Sequence, residues 1–293
     1  MSSHDPFVAH RSLLFTVAYE LLGSAADAED VVQETWLRWD GIGADARAEV
    51  REPRAYLVRI VTRQALNRLR TLARRREQYV GEWLPEPLLT TPDVAEDVEL
   101  AESVSLAMLT VLETLTPTER VVFVLREVFD LPFEEIAEAT GKSAAAVRQV
   151  AHRARSHVAS RRPRMHVDRT EQQRVVERFV AAVMNGDLQG LMDVLAPDAV
   201  LIADGGGVVQ AVLHPVIGAK KICNLLRNFP TAVPTGVFEP TLVNGAPGAR
   251  LLLGGQLDTV IGFAFEKGRI SRILTVRNPQ KLSRLAEETA LSR

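Results

Sequence analysis

The sequence has 293 residues, of which 46% are hydrophobic and 25% charged, with a formal net charge of −2 at pH 7. That length allows two or three domains with their own cores, and the composition excludes a disordered or fibrous chain. The single cysteine, Cys223, excludes an intramolecular disulfide framework and suits a reducing cytosol, and no apolar run is long enough to span a bilayer.

The near-neutral total conceals a segregation of charge. Residues 51–76 carry nine Arg and one Glu, residues 82–102 carry seven acids and no base, and residues 142–164 carry seven Lys or Arg and no acid. Two positive blocks separated by a negative one imply two nucleic-acid contacts joined by a linker that faces something else.

Residues 5–76 read as a first helical domain. Phe7, Leu13, Leu14, Val17, Ala18, Leu21 and Leu22 follow a helical period that ends at Gly23. Ser24 to Asp27 is close to a capping box and starts a second helix. Its spacing buries Ala28, Val31, Val32, Thr35 and Trp39. Asp27, Asp30, Gln33, Glu34 and Arg38 fall mostly on the other side, either as solvated surface or as a face for a protein partner with a basic surface. A third helix starts at Pro53, with Tyr56, Leu57, Ile60, Val61, Ala65 and Leu69 as its apolar stripe. Arg54, Arg59, Arg63, Asn67, Arg68 and Arg70 decorate the rest. Balancing acids are missing, so i,i+4 ion pairs are not being built, and the helix suits a nucleic-acid backbone and a few bases.

Residues 77–105 read as an acidic linker. Pro85 and Pro87 fix an extended path, whereas Trp83, Leu84 and Leu88 are too apolar for a plain spacer and are expected to dock on another domain. Thr91-Pro92-Asp93 then starts one acidic helix that leads into residues 106–162. There Thr116-Pro117 opens a helix, Leu131-Pro132 closes it and starts a second, Gly141-Lys142 turns, and Ser143 caps a third. Short helix, glycine turn and longer helix is the helix-turn-helix pattern. Lys142, Ser143, Arg148, Gln149, His152, Arg153 and Arg155 are its candidate DNA contacts, because Arg and Gln read base edges and Arg also holds phosphate. An αα-hairpin with a solvated basic face is the plainer alternative.

Residues 168–285 are built differently. Helices at 168–184 and 188–195 precede strand-like runs at 199–204, 207–214, 249–257, 259–268 and 269–278, with a helix at 218–228 among them. Helices followed by a curved sheet form an α+β pattern. Asp204, His214 and Asp258 are the polar groups to test for acid–base chemistry. The simpler reading is that Asp204 caps the Gly205-Gly206-Gly207 turn and His214 ends a strand.

Two helical domains joined by an acidic linker resemble the second and fourth conserved regions of an extracytoplasmic-function sigma factor. Asp27 to Trp36 resembles the helix by which that family binds the polymerase clamp. The Arg-rich helix after Pro53 resembles the one that opens the −10 element, and the helix-turn-helix resembles the −35 reader. The stretch from the first tail helix to Gly207 resembles the SnoaL-like cone, a sheet wrapped around an apolar pocket. Trp83-Leu84-Pro85-Glu86-Pro87-Leu88, Asp204-Gly205-Gly206-Gly207 and Asn278-Pro279-Gln280-Lys281-Leu282 together resemble the sigma J group, which carries such a tail. Val208 stands where that group usually has Lys, and Gln280 where an acid is common.

The resemblance implies a multidomain protein: two all-α sigma domains, then an α+β SnoaL-like domain. It implies RNA polymerase core and promoter DNA as partners and a cytoplasmic location. No membrane partner, metal, cofactor or catalytic residue is expected. Loop 40–54 and the start of the next helix would hold a flipped base, and the linker acids would lie in the polymerase's basic cleft. Trp83, Leu84, Pro85 and Leu88, with Asp204, Gly205, Gly206, Gly207, Asn278, Pro279 and Leu282, would join linker to tail in place of a separate anti-sigma protein. The pocket is a candidate site for a small-molecule ligand, and the free chain is expected to be a monomer. The alternatives are a self-standing helix-turn-helix regulator with a ligand-sensing tail, or a SnoaL-like isomerase or hydrolase with an accessory DNA-binding part.

Overall fold

The structure, a computed structural model, describes residues 5–76, 78–161, 168–283, 285 and 288–293, without the side chains of 73–76. The first elements are α1 (Pro6–Leu22), α2 (Ala25–Gly41), α3 (Ala44–Glu49), α4 (Pro53–Arg76), α5 (Pro92–Glu96), α6 (Val98–Val104) and α7 (Leu106–Leu112). Then come α8 (Pro117–Phe123) with a π-helical turn at Val124–Val128, α9 (Phe133–Thr140), α10 (Ala144–Ala159), α11 (Arg169–Asn185) and α12 (Leu188–Val194). The sheet region holds β1 (Leu195–Asp204), β2 (Val216–Ile217), α13 (Ala219–Leu226), α14 (Phe229–Ala232), β3 (Gly236–Val243), β4 (Ala246–Leu253), β5 (Gln256–Glu266), β6 (Arg269–Val276) and α15 (Pro279–Leu282). The expected class is observed: all-α segments followed by an α+β domain.

The chain divides into two compact units. One is Met1–Glu77 with Val111–Arg161 and Ala290–Arg293; the other is Gln78–Thr110 with Arg162–Thr289. The cut differs from boundaries at 105 and 106, because residues 78–110 group with the tail.

In the first unit, Asp5 caps α1 and Gly23 ends it in the left-handed region. Helix α2 buries Ala28, Val31, Val32, Thr35 and Trp39, the face expected from its period. The buried stripe of α4 is wider than expected: Val58, Thr62, Leu66 and Leu72 join Leu57, Val61, Ala65 and Leu69, while Tyr56 and Ile60 are half-exposed. The cause is that α4 packs on both sides, against α1 and α2 and against α8 and α9. A short helix, α3, occupies part of the expected loop 40–54. Thr116 and Glu119 form a full capping box on α8. The helix expected to run on to Leu131 instead widens into the π turn, and Asp130 adopts φ +48°. Gly141 (φ +68°) makes the turn before α10, and the Ser143 hydroxyl accepts from the Ala146 N–H.

In the second unit, the one acidic helix expected after Asp93 is three short helices. Asp97 accepts from Leu100 N and Ser105 accepts from Met108 N, so two side chains that compete with helical hydrogen bonding cut the run. The sheet order is β2-β1-β6-β5-β4-β3, antiparallel except for β1 with β6. The strand expected at 207–214 is absent: Gly206 and Gly207 take positive φ and lead into a loop. Strand β3 was not expected, because Gly236 and Pro240 weaken its strand pattern. One sheet face packs on α11–α13 around Phe179, Leu191, Ile222 and Phe263. The other face packs Val260, Leu274 and Val276 against Leu84 and Leu89 of the linker and Leu106 of α7.

Candidate functional site

Asp204 ends β1 fully buried, and four donors converge on its carboxylate. The Tyr79 hydroxyl and the Gly206 N–H (3.0 Å) donate to Oδ1; the Leu84 N–H (2.9 Å) and the Lys281 ammonium (2.7 Å) donate to Oδ2. Three of the four come from outside the Gly205–Gly207 turn, so capping that turn is only part of its work. Lys281 also donates to the Leu84 carbonyl and lies 3.2 Å from the centroid of the Trp83 ring. Asn278 donates through Nδ2 to the Tyr79 hydroxyl (2.8 Å) and caps α15 by accepting from Gln280 N. Burial pushes the Tyr79 phenol well above its usual pKa, and the hydrogen bond to Asp204 adds to the shift.

The glycines of this motif are required by close approach. A Cβ on Gly206 (φ +64°) would lie 2.3 Å from Asn278 Nδ2, and one on Gly207 (φ +69°) would lie 3.0 Å from Val80 Cβ. Pro85, Leu84 and Leu88 are buried, Trp83 is half-buried, and Gly205 is buried under the loop that follows it. Pro279 is exposed at the start of α15, while Leu282 is buried.

A second anchor holds the other end of the linker. Asn244, buried at φ +53°, accepts from Leu88 N through Oδ1, donates its backbone N–H to Leu88 O, and donates through Nδ2 to Val104 O. Thr90 accepts from Gly245 N and donates its own N–H to Leu242 O. Tyr79, Lys281, Asn244 and Thr90 were missed from sequence. The Asn-Gly pair at 244–245 is the signal of a two-residue hairpin turn and pointed to β3 and β4. Lys281 lies within the Asn278–Leu282 motif, but lysine is rarely buried unless paired.

In the first unit, Asp30, Gln33, Glu34 and Arg38 are exposed on α2, together with Leu37, which is 63% exposed. Arg68, expected to face DNA, instead bridges Asp27 (2.8 Å) and Asp30 (2.6 Å), and Glu34 accepts from Gln64. Arg54, Asn67 and Arg70 are exposed on α4. Arg59 pairs with Glu138 (2.7 Å), and Arg63 donates to the Glu138 carbonyl (2.8 Å), so two expected DNA contacts of α4 are held by α9. Arg120, buried in α8, donates twice to the Glu20 carbonyl of α1 and pairs with Glu113. Lys142 in the turn and Arg148, Gln149, His152, Arg153 and Arg155 on α10 are all exposed; Arg148 touches Glu134 (3.2 Å) and Arg155 is held bidentately by Glu127. Basic residues 162 and 164 lie outside the described residues.

The three polar groups considered for acid–base chemistry are not brought together. Asp204 is enclosed by the linker, His214 is exposed, and Asp258 is bound bidentately by Arg277 at the end of an apolar cavity.

Residues 7–75 match the Sigma-70 region 2 family, and residues 105–158 match Sigma-70, region 4. The whole chain is similar to the ECF RNA polymerase sigma factor SigJ of Mycobacterium tuberculosis: 36% identity, covering 94% of this chain and 92% of that protein. This chain belongs to the extracytoplasmic-function RNA polymerase sigma factors. The likeness extends through the tail, since the crystal structure of the M. tuberculosis SigJ covers 94% of this chain and 96% of its own at a TM-score of 0.76 and 34% identity. A probable ECF sigma factor SigI from the same organism is 33% identical over 98% of this chain and 99% of its own. The sigma factor directs RNA polymerase core to promoters and binds promoter DNA. Family membership makes it an initiation subunit rather than an enzyme. No helix among the described residues is long and apolar enough to cross a membrane.

Proposed function

We propose that the tail of this sigma factor restrains its promoter-reading parts by clasping the linker between them. The observation that carries this reading is the Asp204–Lys281 pair closed over Tyr79, Trp83 and Leu84. The linker is the covalent path from α4 to α8, so anchoring residues 79–104 limits how far the two readers can separate. Fully burying a leucine side chain contributes about 1.5–3 kcal/mol, and Leu84, Leu88 and Leu89 are all buried. Ordering the linker offsets much of that gain.

Contacts within the first unit support the same reading. Elements centred at −10 and −35 are separated along DNA by about 85 Å at roughly 3.4 Å per base pair. Helix α4 touches α9 through Arg59 and Glu138 at 2.7 Å, and packed helices sit about 8–10 Å apart. Reading both elements requires this contact to open. In that open state α2 offers Asp30, Gln33, Glu34, Leu37 and Arg38 to polymerase, α4 offers Arg54, Arg59, Arg63 and Asn67 to the −10 strand, and α10 offers Arg148, Gln149, His152 and Arg153 to the −35 duplex. The free chain acts as a monomer, in the cytoplasm with the polymerase.

The test uses Leu84→Asp, which undocks the linker without altering the tail. Full-length protein with this change is expected to associate with core polymerase several-fold more at limiting concentration and to lose amide protection over residues 79–90. Loss of protection with unchanged association would refute the restraint.

A further inference from the structure

The second unit contains a cavity of about 390 Å³ between the sheet and helices α11, α13 and α14. Its walls are apolar, from Phe179, Leu201, Phe238, Leu251, Ile261 and Ile273. Size and lining match sites that bury a small organic molecule. Polar groups collect at one end. Arg277 donates through Nε (3.1 Å) and Nη2 (3.0 Å) to Asp258, and through Nη1 (2.6 Å) to the Gln210 carbonyl. Burial raises the Asp258 carboxyl, but the bonds from Arg277 and Thr259 outweigh it and hold the group below its usual range, so it stays a carboxylate.

The charges at this end therefore cancel. A ligand anion would meet Asp258, and a ligand cation would meet Arg277. A guanidinium carries five N–H groups, and the three bonds above leave two for an acceptor. Thr275 lines the same cavity.

The cavity and the linker clasp occupy opposite faces of the same two strands. Leu201 and Ala203 of β1 and Ile273 and Thr275 of β6 face the cavity, whereas Asp204, Leu274 and Val276 face the linker. This is the two-residue alternation of a strand. Ala203 pairs with Thr275, and Asp204 with Val276. Arg277 in the cavity directly precedes Asn278 in the clasp, and the backbone N–H groups of both donate to the Asp204 carbonyl, at 2.8 and 3.0 Å.

We propose that this cavity is a sensor site for an uncharged, mainly apolar molecule bearing one carbonyl or hydroxyl group, and that filling it loosens the clasp. The coupling half rests on the restraint proposed above. An oxygen drawn to Arg277 shifts the residue whose backbone holds the end of β1, and a packed two-sided strand pair passes that shift to its other face.

The experiment uses the full chain and Nile red, a neutral, apolar, carbonyl-bearing dye. Saturable emission enhancement is expected, weakened at least about tenfold in Val212→Trp and in Leu251→Trp, whose new rings enter the cavity. 2-Decanone and 1-decanol should displace the dye at about tenfold lower concentration than decanoate or decylammonium. No saturable binding, binding unaffected by both tryptophans, or equal displacement by the charged chains would overturn the site. With saturating 2-decanone, amide exchange over residues 79–88 should accelerate several-fold; unchanged or slower exchange would overturn the coupling. Leu84→Asp should still bind the dye, so failure of the sensor and failure of the restraint are separately readable.

Discussion

The Lys281 ammonium stands 3.2 Å from the centroid of the Trp83 indole while ion-paired to Asp204 at 2.7 Å. Linker and tail thus share one cation, buried with side-chain exposures of 4% for Lys281 and 0% for Asp204. A buried pair of this kind contributes little net stability when intact, because its desolvation cost is large. Its removal from one side is costly. Lys281→Ala should destabilise the second unit by about 3–5 kcal/mol, because it strands a buried carboxylate. Thermal unfolding of the full chain checks this, and an unchanged melting curve would mean the pair is not closed in solution.

Tyr79 gives the clasp a pH dependence. Its folded pKa is raised, first by burial and then by its bond to Asp204. A group with a raised folded pKa contributes stability that is complete below its unfolded value, near 10 for tyrosine, and lost as pH rises above it. Trp83 packs edge-on against Tyr79 at 4.7 Å, so its fluorescence reports the clasp. The emission should be steady from pH 8 to 9.5 and change above pH 10. In Tyr79→Phe that change should vanish, and its persistence would assign it to another group.

The sequence was legible where one local pattern met one environment. The buried face of α2, the cap at Ser143 and the turn at Gly141 follow from period and residue type alone. The apolar linker residues also announced that something must cover them. Legibility failed where tertiary contact decides. Val208, Val209, Gln210, Ala211 and Val212 look like a strand, but the positive φ of Gly206 and Gly207 turns them into the loop beside the cavity. Arg59, Arg63 and Arg68 look free on a helical wheel, yet their partners, carboxylates for Arg59 and Arg68 and the Glu138 backbone carbonyl for Arg63, lie on other helices. No single-helix pattern reveals that pairing.

On the face of α2 proposed to meet polymerase, Leu37 is an exposed apolar residue among charged neighbours. Leu37→Ala and the pair Asp30→Lys with Glu34→Lys should each weaken pull-down of core polymerase, the double change to background. Asp30 also pairs with Arg68, so circular dichroism must show the helices intact. Undiminished pull-down by the double variant would remove α2 as the docking helix.

For −35 reading, Arg148 is exposed early on α10, where recognition helices meet base edges. Arg148→Ala should cost about 1–3 kcal/mol of discrimination at one base-pair position. Arg153→Ala should weaken all promoter variants alike and lower the salt slope by about one. Binding across a set of single-base promoter variants separates the two. A uniform loss for Arg148→Ala would make it a phosphate contact.

The most direct measurement of the restraint is initiation by purified core polymerase at limiting sigma factor, comparing wild type with Gly206→Ala. The added Cβ would lie 2.3 Å from Asn278 Nδ2 at a backbone φ of +64°, so the change breaks the clasp and touches no residue of α2, α4 or α10. Amide exchange over residues 79–88 on the same preparations shows whether the linker has been released. The expected result is faster exchange together with several-fold more transcript. Faster exchange with unchanged or reduced transcript would contradict the restraint.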